Sequence, residues 1–581
     1  MKNLFQSAVL TMTFAAMVLS ANAIPAKKGV WRIITLANGE QKRVELRGDE
    51  YCSYWTDDKG ETYNLDTQKG YYIKVDAEKM KWEGAQLRNI ANQDRKERIN
   101  KIRKQAQKKV GQPTGSYFGK KKGIIILVNY KDKTFKFGHT QSFYNKVANE
   151  SNYSTSLGFV GSIKDYFLAQ SNGQFELDFD VVGPYTLAHD YAYYGAPSGN
   201  SNDVRPRDMV YEACQLADKD VDFSNYDWDG DGYVEQVYVL YAGLGQAAGG
   251  DENTIWPHES KLQYGNYGSY VSKDNNVVVN TYACGPELTL QYTPIGYRER
   301  VDGIGTLCHE YSHCLGYPDL YDVNYGGCFG MGSFDLMSSG SYNGESFCPP
   351  NYTAYEKWFA GWIQPIVLNK PTTVKRMRPQ ATGYGDAFVI YNDNHPDEYY
   401  LIENRQQAAG IWDQQLPASG MMITHVDYDA NIWSFNNVNS IVNYSNTYGS
   451  QYAIYDNDHQ RLTIFHADND ESDNTEAGDL YPYNGNNSLT STSAPAAKIY
   501  HGGSVMGKDI TNIVQNEDGT IDFDFMGGSA DNVITGIGNI AAYNHLKSAK
   551  GIYSVDGRFV GTDLNSLSKG IYIVDGKKIV K

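Results

Sequence analysis

His309-Glu310-Tyr311-Ser312-His313 constrains this chain more than any other five residues in it. Side chains four apart share one face of a helix, so both imidazoles of this segment reach a single ion. Imidazole suits zinc, and two ligands on one rigid helix leave positions for a third ligand and a water. Glu310, beside the first histidine, reaches that water; zinc makes it acidic, Glu310 takes its proton, and it attacks a carbonyl. Gly316 stands three residues past His313, where a helix stops and the chain turns. Asp319 comes three residues later, and the turn returns it towards the metal as the expected third ligand. Glu356, on a helix predicted over Asn351 to Trp362, is its rival.

The pattern around this segment predicts an α/β unit. Gly123 to Asn129 is a short apolar run bounded by polar residues, as in a buried strand. Ser162 to Gln170, Arg207 to Lys219 and Gly303 to Leu315 have helical periodicity, while Tyr233 to Tyr241 and Val277 to Tyr282 read as strands. Before this unit, Ile24 to about Val75 alternates between strand-like segments and turn signals such as Asn38-Gly39 and Lys69-Gly70, a small β module. Leu87 to Lys109 is charged and predicts a solvated, protease-sensitive linker. Past Pro365, strand-like segments at 387–391, 398–403, 421–426, 461–466 and 520–525 suggest a β-sandwich. In the tail, Lys550-Gly-Ile-Tyr-Ser-Val-Asp-Gly557 recurs at Lys569 to Gly576, each Asp-Gly between alternating strands, which predicts a small hairpin module.

The first residues are a targeting signal by their pattern: a charged start, an apolar stretch from Val9 to Leu19 too short to span a bilayer, and the small-x-small Ala21-Asn22-Ala23. Export follows, and with it an oxidising environment that allows pairing among the seven cysteines. Length and boundaries together predict a signal peptide at 1–23, a propeptide at 24–112, a catalytic unit at 113–365, a β-sandwich at 366–526, a linker at 527–535 and a terminal β module at 536–581. The formal net charge of −16 disfavours nucleic acid and anionic membranes as partners.

Two further groups are candidates. Asp227, Asp229 and Asp231, at alternate positions around Gly230 and Gly232, match the first half of a calcium loop, although Tyr238 holds the twelfth position and a strand follows. Cys52, the one cysteine ahead of the catalytic unit, is a candidate latency ligand that would set a thiolate on the zinc; a buried, unpaired cysteine is the alternative.

The run His309 to Asp322, H-E-Y-S-H-C-L-G-Y-P-D-L-Y-D, resembles the immune inhibitor A family of secreted bacterial metalloproteases. Asp229-Gly-Asp-Gly232, Ile255-Trp-Pro-His258, Asp335-Leu-Met337, Ala354-Tyr-Glu-Lys-Trp358, Leu401-Ile-Glu-Asn-Arg405 and Gly420 to Asp427 follow the same pattern in the same order. The resemblance implies a metzincin-like zincin fold, His309 and His313 as zinc ligands, Glu310 as general base, Met337 as an apolar floor under the metal, and a propeptide. The terminal repeat resembles a type IX secretion sorting domain, which implies a secretion machinery as partner. The expected protein is a multidomain secreted endopeptidase holding one zinc and a structural calcium, latent when made, acting on extracellular proteins, a monomer by default. A surface protein that binds host proteins or glycans is the alternative.

Overall fold

A computed structural model describes residues 21–91, 117–197, 203–274, 276–293, 296–382, 385–443, 445–446, 456–536, 552–554, 559–561, 569–574 and 577–581. The apolar part of the expected signal, most of the linker after residue 91 and the Asp-Gly turns of the terminal repeat lie outside them.

The largest sheet is built on the apolar run foreseen at 123–129. Gly119–Asn129 pairs in parallel with Phe175–Thr186 on one side and Val237–Leu244 on the other. A central parallel strand is covered on both faces, and this one divides its side chains accordingly. Ile125 and Leu127 join the core that also holds the His309 helix, while Ile124, Ile126 and Val128 join a second core. Val237–Leu244 pairs in parallel with Thr281–Thr293, which carries His258–Lys261 in antiparallel order at the edge. That edge is covered in turn. Ala21–Asn22, from the far N-terminus, adds as one more antiparallel strand, Ala21 opposite Ser260 and Asn22 opposite Glu259.

The N-terminal module is a five-stranded antiparallel meander, Trp31–Thr35, Gln41–Gly48, Ser53–Thr56, Thr62–Asp66 and Tyr71–Lys74, followed by the helix Ala77–Ala91. Its core includes Ile24, Val44, Leu46, Trp55 and Tyr63, and it closes against Ala247 and Trp256 of the large unit.

Between residues 366 and 535 there are two sheets, and a third, four-stranded one lies among the described residues of 552–580. Ile366–Val367, Ala387–Asn392, His395–Arg405, Gly420–Asp427 and Leu462–Ile464 form one; Ile510–Gln515, Ile521–Phe525, Thr372–Met377 and Val533–Thr535 form the other. Alternation along the first decides what packs on what. Phe388, Ile390, Tyr400, Ile402, Met421 and Ile423 face the second sheet, while Val389, Tyr399, Leu401, Met422 and Val426 face the core of the His309 helix. This sheet is therefore a wall common to two cores, and residue 365 does not separate two independent cores.

The expected linker at 527–535 is instead a packed segment. Ser529 N–H donates to Thr373 Oγ1, Asn532 Nδ2 donates to Pro371 O, and Val533–Thr535 pairs in parallel with Thr373–Lys375. Glycine and small residues there meet the turn requirements of the approach, with Gly527 and Gly528 at φ of 84° and 76°. The seven cysteines are all free thiols, six of them buried, so export-linked pairing plays no part in this architecture.

The shared wall is pinned by an ion pair without solvent contact. Arg405 donates to Asp413 at 2.8 Å, with both side chains fully buried, and its remaining guanidinium protons reach the carbonyls of Phe334 and Asn351. Removing one partner of such a pair strands a charge. Arg405→Ala is expected to cost about 3–5 kcal/mol, read as a lowered denaturant midpoint for loss of tryptophan fluorescence.

Candidate active site

Gly305–Ser312 is α-helical and tightens into a 3-10 turn over His313–Leu315. Gly316 ends it at φ 96°, the left-handed conformation foreseen at that position. The turn brings Asp319 back beneath the helix. Its Oδ1 lies 3.1 Å from His309 Nε2 and 3.5 Å from His313 Nε2, with the two rings at 87° and all three side chains buried.

Backbone carbonyls fix which nitrogen of each ring faces inward. His309 Nδ1 donates to Leu336 O at 2.8 Å, and His313 Nδ1 donates to Tyr317 O at 2.9 Å. A neutral imidazole has one N–H, so both Nε2 atoms turn lone pairs towards the Asp319 carboxylate. Three lone pairs converging in a buried space repel unless a cation stands among them. Two imidazoles and a carboxylate are the donor set that zinc takes, and a ring whose other nitrogen is held by a carbonyl is oriented for that purpose.

Asp319 is itself clamped. Asn436 Oδ1 accepts the Asp319 N–H at 2.7 Å, and Asn436 Nδ2 donates to Asp319 Oδ2. Asn436 comes from the loop after the helix Ala430–Ser434, with φ at 56°, and nothing in its sequence setting marked it. Leu336 and Met337 lie in the turn foreseen downstream. Asp335 Oδ1 accepts the Met337 N–H, Leu336 offers its carbonyl to His309, and Met337 is fully buried and accepts Leu320 N–H through its own carbonyl.

The rival ligand is elsewhere. Glu356 Oε2 accepts Thr353 N–H at 2.7 Å as part of a capping box at the start of Ala354–Phe359, and it belongs to no cluster with His309 and His313. Cys52 is buried within the N-terminal module, where Gly84 of the helix Ala77–Ala91 passes close to its Cβ, and it is not in that cluster either. Burial, then the charge of Asp49, pushes its thiol far up, the opposite of what a thiolate ligand needs. Asp227, Asp229 and Asp231 do bring carboxylate oxygens within 4.8 Å of one another. Asp227 at the same time accepts the N–H groups of Gly230, Asp231 and Gly232, which closes the turn. His258 bonds Trp256 O and Tyr282 OH in the interior, and burial holds its pKa down at about 3.

Glu310 faces the N-terminal strand. Its Oε1 accepts the Ile24 N–H at 2.7 Å. On the other side of the same peptide link, Tyr321 OH donates to Ala23 O at 2.8 Å, and the next carbonyl, Ile24 O, accepts from the Trp256 indole at 2.9 Å. Burial pushes the Glu310 carboxyl well up, and Asp319 and Glu259 add to this. The segment 21–25 therefore lies along the cleft as an extended peptide, paired to the edge strand with one amide between Tyr321 and Glu310. Tyr311 and Tyr321 are the two tyrosines that the sequence offers as donors to an oxyanion, one among many tyrosines as each is; Tyr311 instead packs between Phe167 and Phe179 in the core.

Removing the clamp leaves His309, His313 and Asp319 in place but loosens the carboxylate that the two rings face. Asn436→Ala is expected to weaken zinc binding about 10–100-fold, measured by competition with a chromophoric chelator.

Comparisons with known proteins cover the same part of the chain. Residues 126–365 match the sequence family of the immune inhibitor A peptidase M6 catalytic domain. The chain is 27% identical over 282 residues to the pre-pro-metalloprotease PrtV of Vibrio cholerae serotype O1, a match covering 42% of this chain and 29% of that protein. It is 28% identical over 288 residues to immune inhibitor A of Bacillus thuringiensis subsp. alesti, covering 42% of this chain and 40% of that protein. The matched stretch thus spans less than half the length of these curated relatives. The part of the chain that carries His309, Glu310, His313 and Asp319 is, in sequence, similar to the catalytic domain of the immune inhibitor A peptidases.

Proposed function

We propose that this protein is a secreted zinc endopeptidase made as a latent precursor. The observation that carries the reading is the approach of His309 Nε2 and His313 Nε2 to within 3.5 Å of Asp319 Oδ1, next in the chain to a carboxylate, Glu310, that already faces a peptide amide. When bound there, zinc supplies Lewis acidity to a water and to the carbonyl under attack. The chain's own groups do the rest. Glu259 and Ser260 hold an extended substrate by antiparallel pairing, as they hold residues 21–22. The Tyr321 hydroxyl donates to the carbonyl oxygen, where negative charge grows. Glu310 takes a proton from water and passes it to the departing amide nitrogen, the atom it faces in the N-terminal segment.

Latency follows from the same contacts. A substrate cannot enter while Ile24 and Pro25, the residues that follow the expected signal peptide at 1–23, are held against Glu310, Trp256 and Tyr342. The N-terminal module is fastened to the loop beyond Asp319 by two ties: Arg88, paired with buried Asp49 at 2.7 Å, also reaches Val323 O, and Tyr325 OH donates to Gly48 O. Occupancy, with no part for Cys52, is the restraint this geometry supports. Calcium at Asp227, Asp229 and Asp231 rests on the proximity of their oxygens alone, and export through a type IX machinery rests on the terminal repeat alone. A non-catalytic binding protein has no need of a carboxylate buried against a peptide amide.

Casein digestion by the intact chain and by chain cut after residue 91 tests the proposal. The cut, N-terminally freed enzyme is expected to digest casein, to stop when zinc is chelated and to recover with added zinc. Glu310→Gln is expected to lower the rate about 10²–10⁴-fold, and the intact chain to be inactive. Digestion that survives both chelation and the substitution would remove the zinc mechanism; equal activity before and after the cut would remove latency.

A further inference from the structure

A second set of imidazoles gathers on a carboxylate in the sheet beyond residue 365. Asp427 ends the strand Gly420–Asp427 and is 1% exposed. Its two oxygens have different neighbours. Oδ2 accepts His459 Nε2 at 2.9 Å and Arg461 Nη1 at 2.8 Å. Oδ1 faces outward to a pair of histidines: His501 Nε2 lies 3.1 Å from it and 3.0 Å from Oδ2, and His395 Nε2 lies 3.9 Å from Oδ1.

The 3.9 Å separation is too long for a hydrogen bond, so His395 Nε2 stands near the oxygen without bonding it. Its ring stands 4.0 Å from that of His501, tilted by 34°. Ligand atoms bound at about 2.0–2.1 Å to one tetrahedral ion stand roughly 3.3–3.5 Å apart. Separations of 3.1 and 3.9 Å bracket that value, as 3.1 and 3.5 Å do at His309, His313 and Asp319. The donors are the same: two imidazoles and one aspartate.

The surroundings hold the three groups in place. Glu398 accepts the backbone N–H of Tyr500 and of His501 and the ring of His425. Asn392 Nδ2 donates to His501 O and to Glu398. The loop that presents His501 is thereby tied to the strands that present His395 and Asp427, while His459 and Arg461 leave Asp427 Oδ1 directed at the histidine pair. Ligands whose supports are fixed in this way bind metal more tightly. The side chains of His395 and His501 are about two-fifths exposed, so the site opens to solvent and has room for a water as fourth ligand.

We propose that His395, His501 and Asp427 form a second zinc site, distinct from the one at His309, His313 and Asp319. It joins three segments far apart in sequence, the start of the strand His395–Arg405, the end of Gly420–Asp427 and the loop at His501, and its role is to fasten that loop to the sheet.

The test uses the full chain, stripped by chelation and titrated with zinc alone. In the His309→Ala, His313→Ala background, which removes the first site, one zinc per chain is expected by elemental analysis, with a rise in the thermal midpoint on loading. Adding His395→Ala and His501→Ala is expected to abolish both the zinc and the rise, while the far-ultraviolet circular dichroism stays unchanged. In the same background His395→Gln, a milder change at a partly exposed residue, is expected to weaken zinc binding at least tenfold. No zinc in the first background would overturn the proposal, and so would full zinc retention in either histidine variant. Because the first site is deleted throughout, the outcome is independent of the peptidase reading.

Discussion

Asp319 is the constraint to which the rest of the structure answers. Its carboxylate is buried between two imidazole nitrogens whose lone pairs point at it, because Leu336 and Tyr317 take the N–H of each ring. Such an arrangement is repulsive unless a cation is added, so the fold has to supply rigid supports until one is. Those supports come from three directions. The left-handed Gly316 turns the chain, the Asp335–Met337 turn places the carbonyl for His309, and Asn436 grips Asp319 from a loop more than a hundred residues away.

The demand for Asn436 accounts for how the molecule is layered. The loop bearing it hangs on the five-stranded sheet beyond residue 365, and that sheet divides its side chains between the catalytic core and its own partner sheet. Arg405 and Asp413 fasten the two units where they meet. The accessory unit thus completes the proposed active site, supplying a second support to its third ligand.

At the other end of the chain, the N-terminal module meets the site as a peptide would. An edge strand with unpaired backbone groups accepts any extended segment; here it accepts residues 21–22, and Glu310 and Tyr321 take the amide that follows. The geometry that would bind a substrate is the geometry that excludes one.

How much of this could be read beforehand depended on whether a feature was local. Four-residue spacing on a helix, a glycine that must leave it and an aspartate three residues on are statements about neighbouring backbone, so the meeting of His309, His313 and Asp319 was legible, as were the buried strand at 123–129 and the alternating strands past residue 387. Cys52 drew attention through an odd count, and Glu356 through a helix in a suggestive place, but neither had a local reason to point at the metal. The segment 527–535 has a linker's composition and a strand's neighbours. Asn436 and the carbonyls of Leu336 and Tyr317 were beyond reach, since each acts through a contact made by the folded chain. The sequence by itself determined which atoms could bind a cation and how the helix presents them. Tertiary structure alone decided which carboxylate faces them, what holds it there and which strand covers the cleft, because those are long-range contacts whose partners no local spacing specifies.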